Sequence, residues 1–431
     1  MDKPYNVYGG LQDNGSWQGP SESPNGIENR DWNNAGGGDG FWVWRDKTDK
    51  TILYSESQGG NITRIHTKTN ESKDIKPYPK YGEPKYRFNW NTPIQLSPTR
   101  PDVIYMGSQF LHKSTDKGES WTNISPDLTT NDKAKQQQEE SGGLSVDNSS
   151  AENHCTIYTI AESPMDANII WVGTDDGNVQ VTQNGGKSWT NVVKNIPGLP
   201  ANTWCTTVEP GHFAKGTCYV TFDGHTTGDM KSYIYKTSDF GKTWTEIASG
   251  VKGYVHVVRE DLVNQSLLFA GTELGMFVSI DGGKEWSQFT GNLPNVAVRD
   301  IAIHPREHDL ILATHGRGVL IIDDIIPLRK LTADVLDKEL VILEGRPNEM
   351  KIGGGFQEFS GGGNFVGSNP SDVATITYYQ KDRHVFGDMK IEISDKNGKL
   401  ISTIPAGKRK GINRIDWAIR LKAPKVAPGA N

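Results

Sequence analysis

Eight residues, Ser279-Ile280-Asp281-Gly282-Gly283-Lys284-Glu285-Trp286, constrain the fold of this chain more than any others. Their form, Ser/Thr-x-Asp-x-Gly-x-x-Trp, recurs at Ser114–Trp121 and Thr237–Trp244, and at Thr182–Trp189 with Asn184 in place of the Asp. An Asp or Asn side chain bonds the backbone two residues on, and Gly supplies the positive φ of a tight hairpin turn. The Trp opens the next strand and packs its ring beneath the turn. Each octet is therefore a pre-folded hairpin corner. Copies at intervals of about 40 to 70 residues require a repeat architecture.

A second repeat runs beside the first. It is an apolar strand ending in a small-residue step, starting at Val7, Ile52, Val103, Ile169, Thr217, Leu267 and Leu310. Several copies follow an apolar strand and a Pro-containing turn, as in IQLSPTRPD, TIAESPMDAN and IAIHPREHD. Each unit thus reads strand, turn, strand, loop, strand, corner, strand. Four antiparallel strands in a unit of that length match a propeller blade, and stacked blades supply the core that one blade lacks. The expectation is an all-β fold: an about seven-bladed β-propeller of four-stranded antiparallel blades over residues 1–328. Tyr5 to Gly10 already reads as a second strand, so the first blade is expected to be incomplete and the chain a piece of a longer protein.

Past Asp324 the pattern changes. A short helix is expected around Thr332–Lys338, and residues 329–370 read as a linker with a Gly-rich stretch, Gly353–Asn369. Alternation returns after Pro370. Ile391 and Ile393 face one way, and Asp395-Lys396-Asn397-Gly398 signals a hairpin. Residues 371–431 read as a partial, truncated Ig-like β-sandwich. The Ser-rich stretch Gln136–Asn153 reads as an inter-blade insertion.

Composition excludes several classes. Lys and Arg number 46 against 52 Asp and Glu, with no basic block, so no nucleic-acid footprint is present. No apolar run reaches the length of a membrane span. The 3 cysteines lack metal-ligand spacing. Cys205 and Cys218 are read as buried free thiols, with a pairing across neighbouring strands as the alternative.

Several stretches resemble a large group of bacterial extracytoplasmic proteins, the sortilin-like or Asp-box (BNR) repeat propellers of the xyloglucanase-type superfamily. They are the four octets, GLQDNG from Gly10, GGDGF from Gly37, RFNWNTPI from Arg87, SWTNISPDLT from Ser120, SPMDANIIWVGTDDGNVQVT from Ser163 and THGRG from Thr314. The resemblance implies bacterial export to the periplasm, cell surface or medium. It also implies a two-propeller core, with the partner propeller or an N-terminal region outside this sequence, and an appended β-sandwich. It specifies fold far better than activity.

Propeller ligands meet the channel mouth, where second strands end. The candidates there are Gln12, Asp13 and Asn14; Asp39; Arg87, Asn89 and Trp90; Asp175 and Asp176; Asp223 and His225; Glu273; and His315 and Arg317. Two readings stand: these groups engage a ligand, or they bond orphan backbone and thread the blades together. Glycoside hydrolysis needs two carboxylates, about 5 Å apart for retention or about 6.5 to 9.5 Å for inversion. Asp39 in Gly-Asp-Gly-Phe is similar to a catalytic Asp of xyloglucanase-type enzymes, with Trp42, Trp44 and Trp90 as sugar-stacking platforms. The bland alternative makes Asp39 a turn cap and the tryptophans core. Asp175-Asp176-Gly177-Asn178 and Asp223-Gly224-His225 offer oxygens to calcium but lack EF-hand spacing, so no cofactor is expected beyond that one candidate ion. The leading expectation is a non-catalytic propeller binding a polysaccharide or protein partner. The alternatives are a glycoside hydrolase with its site between two propellers, and a structural subunit of a surface assembly.

Overall fold

The structure, a computed structural model, describes residues 2–137, 153–348 and 365–419. The insertion 136–153 and the Gly-rich stretch 353–369 lie largely outside them. Seven antiparallel sheets follow one another along the chain. Blade 1 is Asn6–Leu11, Gly15–Pro20 and Asn33–Gly36; blade 2 is Gly40–Arg45, Ile52–Ser57, Asn61–His66 and Glu71–Asp74. Blade 3 is Ile94–Leu96, Ile104–Gly107, Leu111–Ser114 and Thr122–Asn123; blade 4 is Ile157–Ser163, Asp166–Thr174, Val179–Thr182 and Thr190–Asn191. Blade 5 is Trp204–Pro210, Cys218–Gly224, Asp229–Thr237 and Thr245–Glu246; blade 6 is Val255–Glu260, Leu268–Thr272, Gly275–Ser279 and Ser287–Gln288. Blade 7 is Val298–Ile303, Leu310–Thr314 and Val319–Ile322. Within each blade consecutive strands pair in order, giving the up-and-down meander of a β-propeller.

The core lies between blades. One apolar cluster joins Trp171 and Val181 of blade 4 to Val208, Val220 and Phe222 of blade 5. Another joins Tyr219 and Ile234 of blade 5 to Val258, Leu268 and Phe277 of blade 6. The small-residue step explains how blades come this close. A Cβ on Gly173 would lie 2.4 Å from the Cys205 sulfur of the next blade, and one on Gly107 would lie 2.7 Å from Ile157. Second-strand glycine is therefore a packing requirement, since any side chain there would hold the next inner strand away.

The corners form, but their Asp or Asn reaches amides three or four residues on rather than two. Asp281 Oδ1 accepts from Ser279 Oγ at 2.7 Å and from the Lys284 and Glu285 amides at 3.0 and 3.1 Å. Asn184 makes the same turn, accepting the Ser188 amide at 2.9 Å. The tryptophans do more than prop up their own turn. Trp121, Trp189 and Trp286 donate Nε1–H to the carbonyls of Ile75, Ile124 and Ile247 at 2.7, 3.0 and 2.6 Å. Each acceptor belongs to the preceding blade, so these corners are inter-blade staples. Trp244 alone stays local, donating to Gly241 at 3.1 Å.

The chain divides into two compact units, one running to Ala302 and including Ile311–Leu320, the other taking Ile303–Leu310 and most of the chain beyond Ile321. The second contains the short helices Ile326–Arg329 and Ala333–Leu336, the latter capped by Thr332. It also contains a three-stranded sheet, Leu340–Leu343 with Ala374–Gln380 and Gly411–Trp417, and the hairpin Lys390–Ser394 with Leu400–Pro405. Asp395 closes that hairpin by accepting the Asn397 and Lys399 amides at 2.8 and 2.9 Å. The cysteines are free and buried. Cys205 lies opposite Phe222 and Cys218 opposite Pro210, an offset along the strands that no disulfide spans. Among the described residues no helix is long and apolar enough to cross a membrane.

Candidate functional site at the rim of blades 5 to 7

A polar residue stands at the end of each second strand or within two residues of it: Gln12, Gln58, Gln109, Asp175, Asp223, Glu273 and His315. Antiparallel alternation puts these positions at one rim. In blades 2 to 4 the side chain latches the loop that enters its own blade. Gln58 Oε1 accepts the Asp39 amide at 2.8 Å, Gln109 Oε1 the Arg87 amide at 2.7 Å, and Asp175 Oδ1 the Thr156 amide at 2.8 Å. These three side chains bond backbone within their own blade.

In blades 5 to 7 the same position holds, among the described residues, no entry-loop amide and turns to imidazole, phenol and guanidinium groups, although Asp223 Oδ1 also accepts the His225 amide at 2.8 Å. His225 Nδ1 lies 2.7 and 2.8 Å from the two Asp223 oxygens. The His225 ring stacks on Tyr254 with centroids 4.4 Å apart, and Tyr254 meets His256 edge-on at 5.2 Å. His256 Nε2 is 3.1 Å from Glu273 Oε2, and its Nδ1 is 3.4 Å from Arg299 Nη1. Arg299 also lies 3.4 Å from Glu273 Oε2 and 3.3 Å from His315 Nδ1.

The partners assign the protons. Arginine only donates, so His256 Nδ1 accepts and Nε2–H points at Glu273. By the same reasoning His315 Nδ1 accepts, and its Nε2–H is left as a donor. Asp223 only accepts, so His225 carries a proton on Nδ1. Burial pushes the His256 imidazole down to about 4, and the Arg299 charge pushes the same way. His256 is therefore a neutral bridge at physiological pH. Burial raises Glu273, but hydrogen bonds from His256 and Tyr254 and the Arg299 charge outweigh it and hold the carboxyl below its ordinary range. The rim thus offers the Nε2 edges of His225 and His315 and an arginine, held by carboxylates that are already engaged.

The other candidates stand elsewhere. Asp39 is buried, and its Oδ1 accepts the Asp13 amide at 2.6 Å. With Asp13, Asn14, Asn34 and Gln58 it lines an open polar cavity of about 550 Å³. Gln12 is exposed, and its carbonyl accepts from Asn14 at 2.9 Å. Trp42 and Trp44 pack against the core cluster of Tyr54, Ile62 and Ile94, and Trp44 Nε1–H donates to the Ile94 carbonyl at 2.9 Å. These two rings fill the space between blades rather than line the rim. Arg87 is spent on Asp127 at 2.9 Å and on the Cys155 carbonyl at 3.2 Å. Asp176 is buried and accepts both the amide and hydroxyl of Thr130 at 2.7 Å. Trp90 is half-buried, with its carbonyl accepting the Gly59 amide at 2.9 Å, and Arg317 is exposed. Asn89 donates to Asp175 Oδ2 at 3.1 Å. The proposed calcium oxygens are therefore largely bonded to protein donors. Among the described residues no group of three or more His, Cys, Asp and Glu could hold a metal.

Tyr254, His256 and Arg299 were missed in the sequence. Their signal was a polar residue set inside an apolar inner strand, as in Val255-His256-Val257.

Asp175 gives a pH test. Burial pushes its carboxyl up to about 6, against the opposing charge of His154. A folded-state value above the ordinary one favours the protonated form, so stability falls as pH rises towards and through 6. The ionised group carries a penalty of about 3 kcal/mol at neutral pH. Asp175→Asn should flatten the loss of unfolding free energy between pH 4.5 and pH 7.5 by about 2 kcal/mol in urea titrations. An unchanged pH slope would refute that burial dominates here.

No protein-family model matches the chain, and no curated protein matches it in sequence. In structure it is similar to the GH74 xyloglucanase from Xanthomonas campestris, with TM-score 0.51 and 16% identity over 73% of this chain and 50% of that one. It is also similar to a GH74 enzyme from Niastella koreensis, with TM-score 0.49 and 18% identity over 74% and 50%. An extracellular domain of a one-component system from B. thetaiotaomicron gives TM-score 0.46 and 13% identity over 78% and 41%. The chain spans about half the length of the first two. At these identities the likeness concerns fold, and the sheet order and the first comparison agree: this is a β-propeller.

Proposed function

We propose that this chain is an extracytoplasmic, Asp-box-type propeller that binds a polymer or protein partner at the rim of blades 5 to 7 without catalysing a reaction on it. One observation supports this above the rest. A single repeated position latches the entry loop of its blade in blades 2 to 4 but joins a half-exposed network of imidazole, phenol, guanidinium and carboxylate in blades 5 to 7. A polar network of this kind at a channel mouth suits a hydroxyl-rich polymer, which presents donors and acceptors together. The C-terminal sheet and hairpin are read as part of an Ig-like sandwich, and a further region or second propeller as the neighbour of this one.

The hydrolase reading keeps the Asp39 cavity as its support, but among the described residues the carboxylate that lines that cavity with Asp39 is Asp13, whose amide Asp39 already holds. Affinity electrophoresis against xyloglucan, mixed-linkage β-glucan and polygalacturonate tests both. Retardation by one polymer is expected, weakened about ten-fold in the His225→Ala/Arg299→Ala double variant, equivalent to about 1.4 kcal/mol. Reducing-end release should stay at background, and Asp39→Asn should bind as the parent does. Polymer cleavage abolished by Asp39→Asn would replace this reading with the hydrolase. Binding that ignores the double variant would move the site away from this rim.

A further inference from the structure

The inner strands of blades 4 to 7 each set one residue apart near the rim. In blade 4 Ile157 pairs with Thr174 and Thr159 with Gly173, which leaves Tyr158 as the extra residue of a β-bulge. Thr206 of blade 5 and His256 of blade 6 are left over in the same way. Arg299 takes the corresponding second place in the inner strand of blade 7. A bulge re-aims the side chain of its extra residue. His256 and Arg299 belong to the network described above, so the same construction carries that network on through blades 5 and 4.

The continuation is an aromatic pair. The Tyr158 ring meets Trp204 edge-on with centroids 4.9 Å apart, and both rings are half-buried. Trp204 stands across its sheet from Asp223, whose carboxylate holds His225. Burial raises the Tyr158 phenol, Asn91 and the Arg299 charge oppose the rise, and the Asp223 charge adds to it. Charges act on one another over only about 10 Å in salt, so side chains of blades 4, 5 and 7 stand around one narrow mouth. Trp204 differs from the indoles of the corners. Its Nε1–H finds no acceptor among the described residues, so no polar bond staples that ring to another blade. Three residues beyond His256, Arg259 joins Glu209 of blade 5 at 3.2 Å and Asp300 of blade 7 at 2.8 Å. That bridge spans three inner strands about 10 Å along from the rim residues.

Resting on the rim-binding reading above, we propose that the site continues into the channel mouth, where Tyr158 and Trp204 form a subsite for the terminal ring of an unbranched neutral glycan, so that the polymer is gripped by its end. A ligand that reaches Tyr158 in blade 4 and Arg299 in blade 7 together has to enter the mouth. A stiff chain enters only end first, and a side branch would hold its last ring out. A pyranose ring offers an apolar C–H face to aromatic carbon and carries hydroxyls around its edge for imidazole and guanidinium. Asp175, Asp223 and Glu273 outnumber Arg299 around the mouth, a balance that disfavours the carboxylate of a uronate ring. A protein partner docks through a broad face of about 800 Å², which a recessed pair of rings does not offer.

The test titrates the unaltered chain with linear fragments of mixed-linkage β-glucan in a calorimeter. Fragments of about four, eight and sixteen sugars should bind with the same affinity per chain within about two-fold, because each presents one such end. A site that lies along the chain gains registers with length, and its affinity per chain would rise about ten-fold across the series. Tyr158→Ala and Trp204→Leu should each weaken the shortest fragment about ten-fold, with Tm reporting that each variant folds. The length series needs no variant and decides the matter even where one of them unfolds. Affinity that climbs with length would overturn end recognition, as would retardation confined to branched xyloglucan or to polygalacturonate. Each of those results leaves the rim site standing if retardation still responds to the His225→Ala/Arg299→Ala double variant. Retardation by none of the polymers would remove the rim site and this subsite together.

Discussion

Gly283→Ala should destabilise the protein by about 3 to 4 kcal/mol, while Gly282→Ala, one residue away in the same corner, should cost about 1 to 2 kcal/mol. Both glycines have left-handed backbone, with φ of 93° and 76°. Forcing an alanine into that conformation costs about 1 to 2 kcal/mol at either site. What separates them is space. A Cβ at 282 meets nothing within 4 Å, whereas one at 283 would lie 2.7 Å from Ile247 Cδ1 and 3.1 Å from Ile247 Cβ. Ile247 sits in the preceding blade and its carbonyl holds the Trp286 indole, so it has little room to yield. Overpacking of this kind adds about 1 to 3 kcal/mol. The same contact recurs: Gly118 stands over Ile75 and Gly186 over Ile124. Urea titration of both variants measures the difference. Equal losses would mean the corner is only a local turn and not a joint between blades.

That joint was half legible. The octet's Asp, Gly and Trp speak of a turn because their chemistry is local, a side chain bonding amides three or four residues on. That the Trp reaches an isoleucine carbonyl of the blade before it is a long-range fact, set by how blades stack. The rim divides along the same line. Asp175 and Asp223 look alike in sequence, each closing an apolar strand. Asp175 finds the amide and hydroxyl of Thr156 in the loop before its blade, whereas Asp223 finds the amide and ring of His225 two residues on. His256 is hidden in the sequence between Val255 and Val257, and nothing local marks Tyr254 or Arg299 as its neighbours. Trp42 and Trp44 were offered as sugar platforms, yet residues two apart on one strand share a face, and that face is the core. The hairpin at Asp395–Gly398 and the short helix after Thr332 came out as read, since turn and cap chemistry lie wholly within a few residues.

Glu162→Ala should cost about 3 to 5 kcal/mol, the largest loss expected of any polar substitution here. The Glu162 side chain is fully buried in the inner strand of blade 4, and all its partners come from blade 3 or the loop within it. Oε1 accepts from Ser97 at 2.6 Å and from the Thr99 hydroxyl; Oε2 accepts from Tyr105 at 2.7 Å and from Arg100 at 3.0 Å. Removing the carboxylate strands those donors and leaves Arg100 without its counter-charge, and the missing acceptor rather than the missing volume dominates. Glu162→Gln keeps the shape but loses the charge and turns one acceptor into a donor facing hydroxyls that can rotate, so a loss of about 1 to 3 kcal/mol is expected. Burial raises the Glu162 carboxyl, but its four side-chain donors outweigh that and hold it below the ordinary glutamate range. A carboxyl lowered by folding contributes stability that is complete above the ordinary value and drains away as pH falls beneath it. The parent should therefore lose stability between neutral pH and the acid side of that range more steeply than Glu162→Gln. Parallel losses in the two proteins would show that the buried carboxylate is no better held in the fold than in water. Blade 6 repeats the arrangement, with Glu260 accepting the Tyr219 hydroxyl of blade 5 at 2.9 Å. Tyr105→Phe and Tyr219→Phe should each cost about 1 to 2 kcal/mol, and their effects should add, since the two staples share no partner.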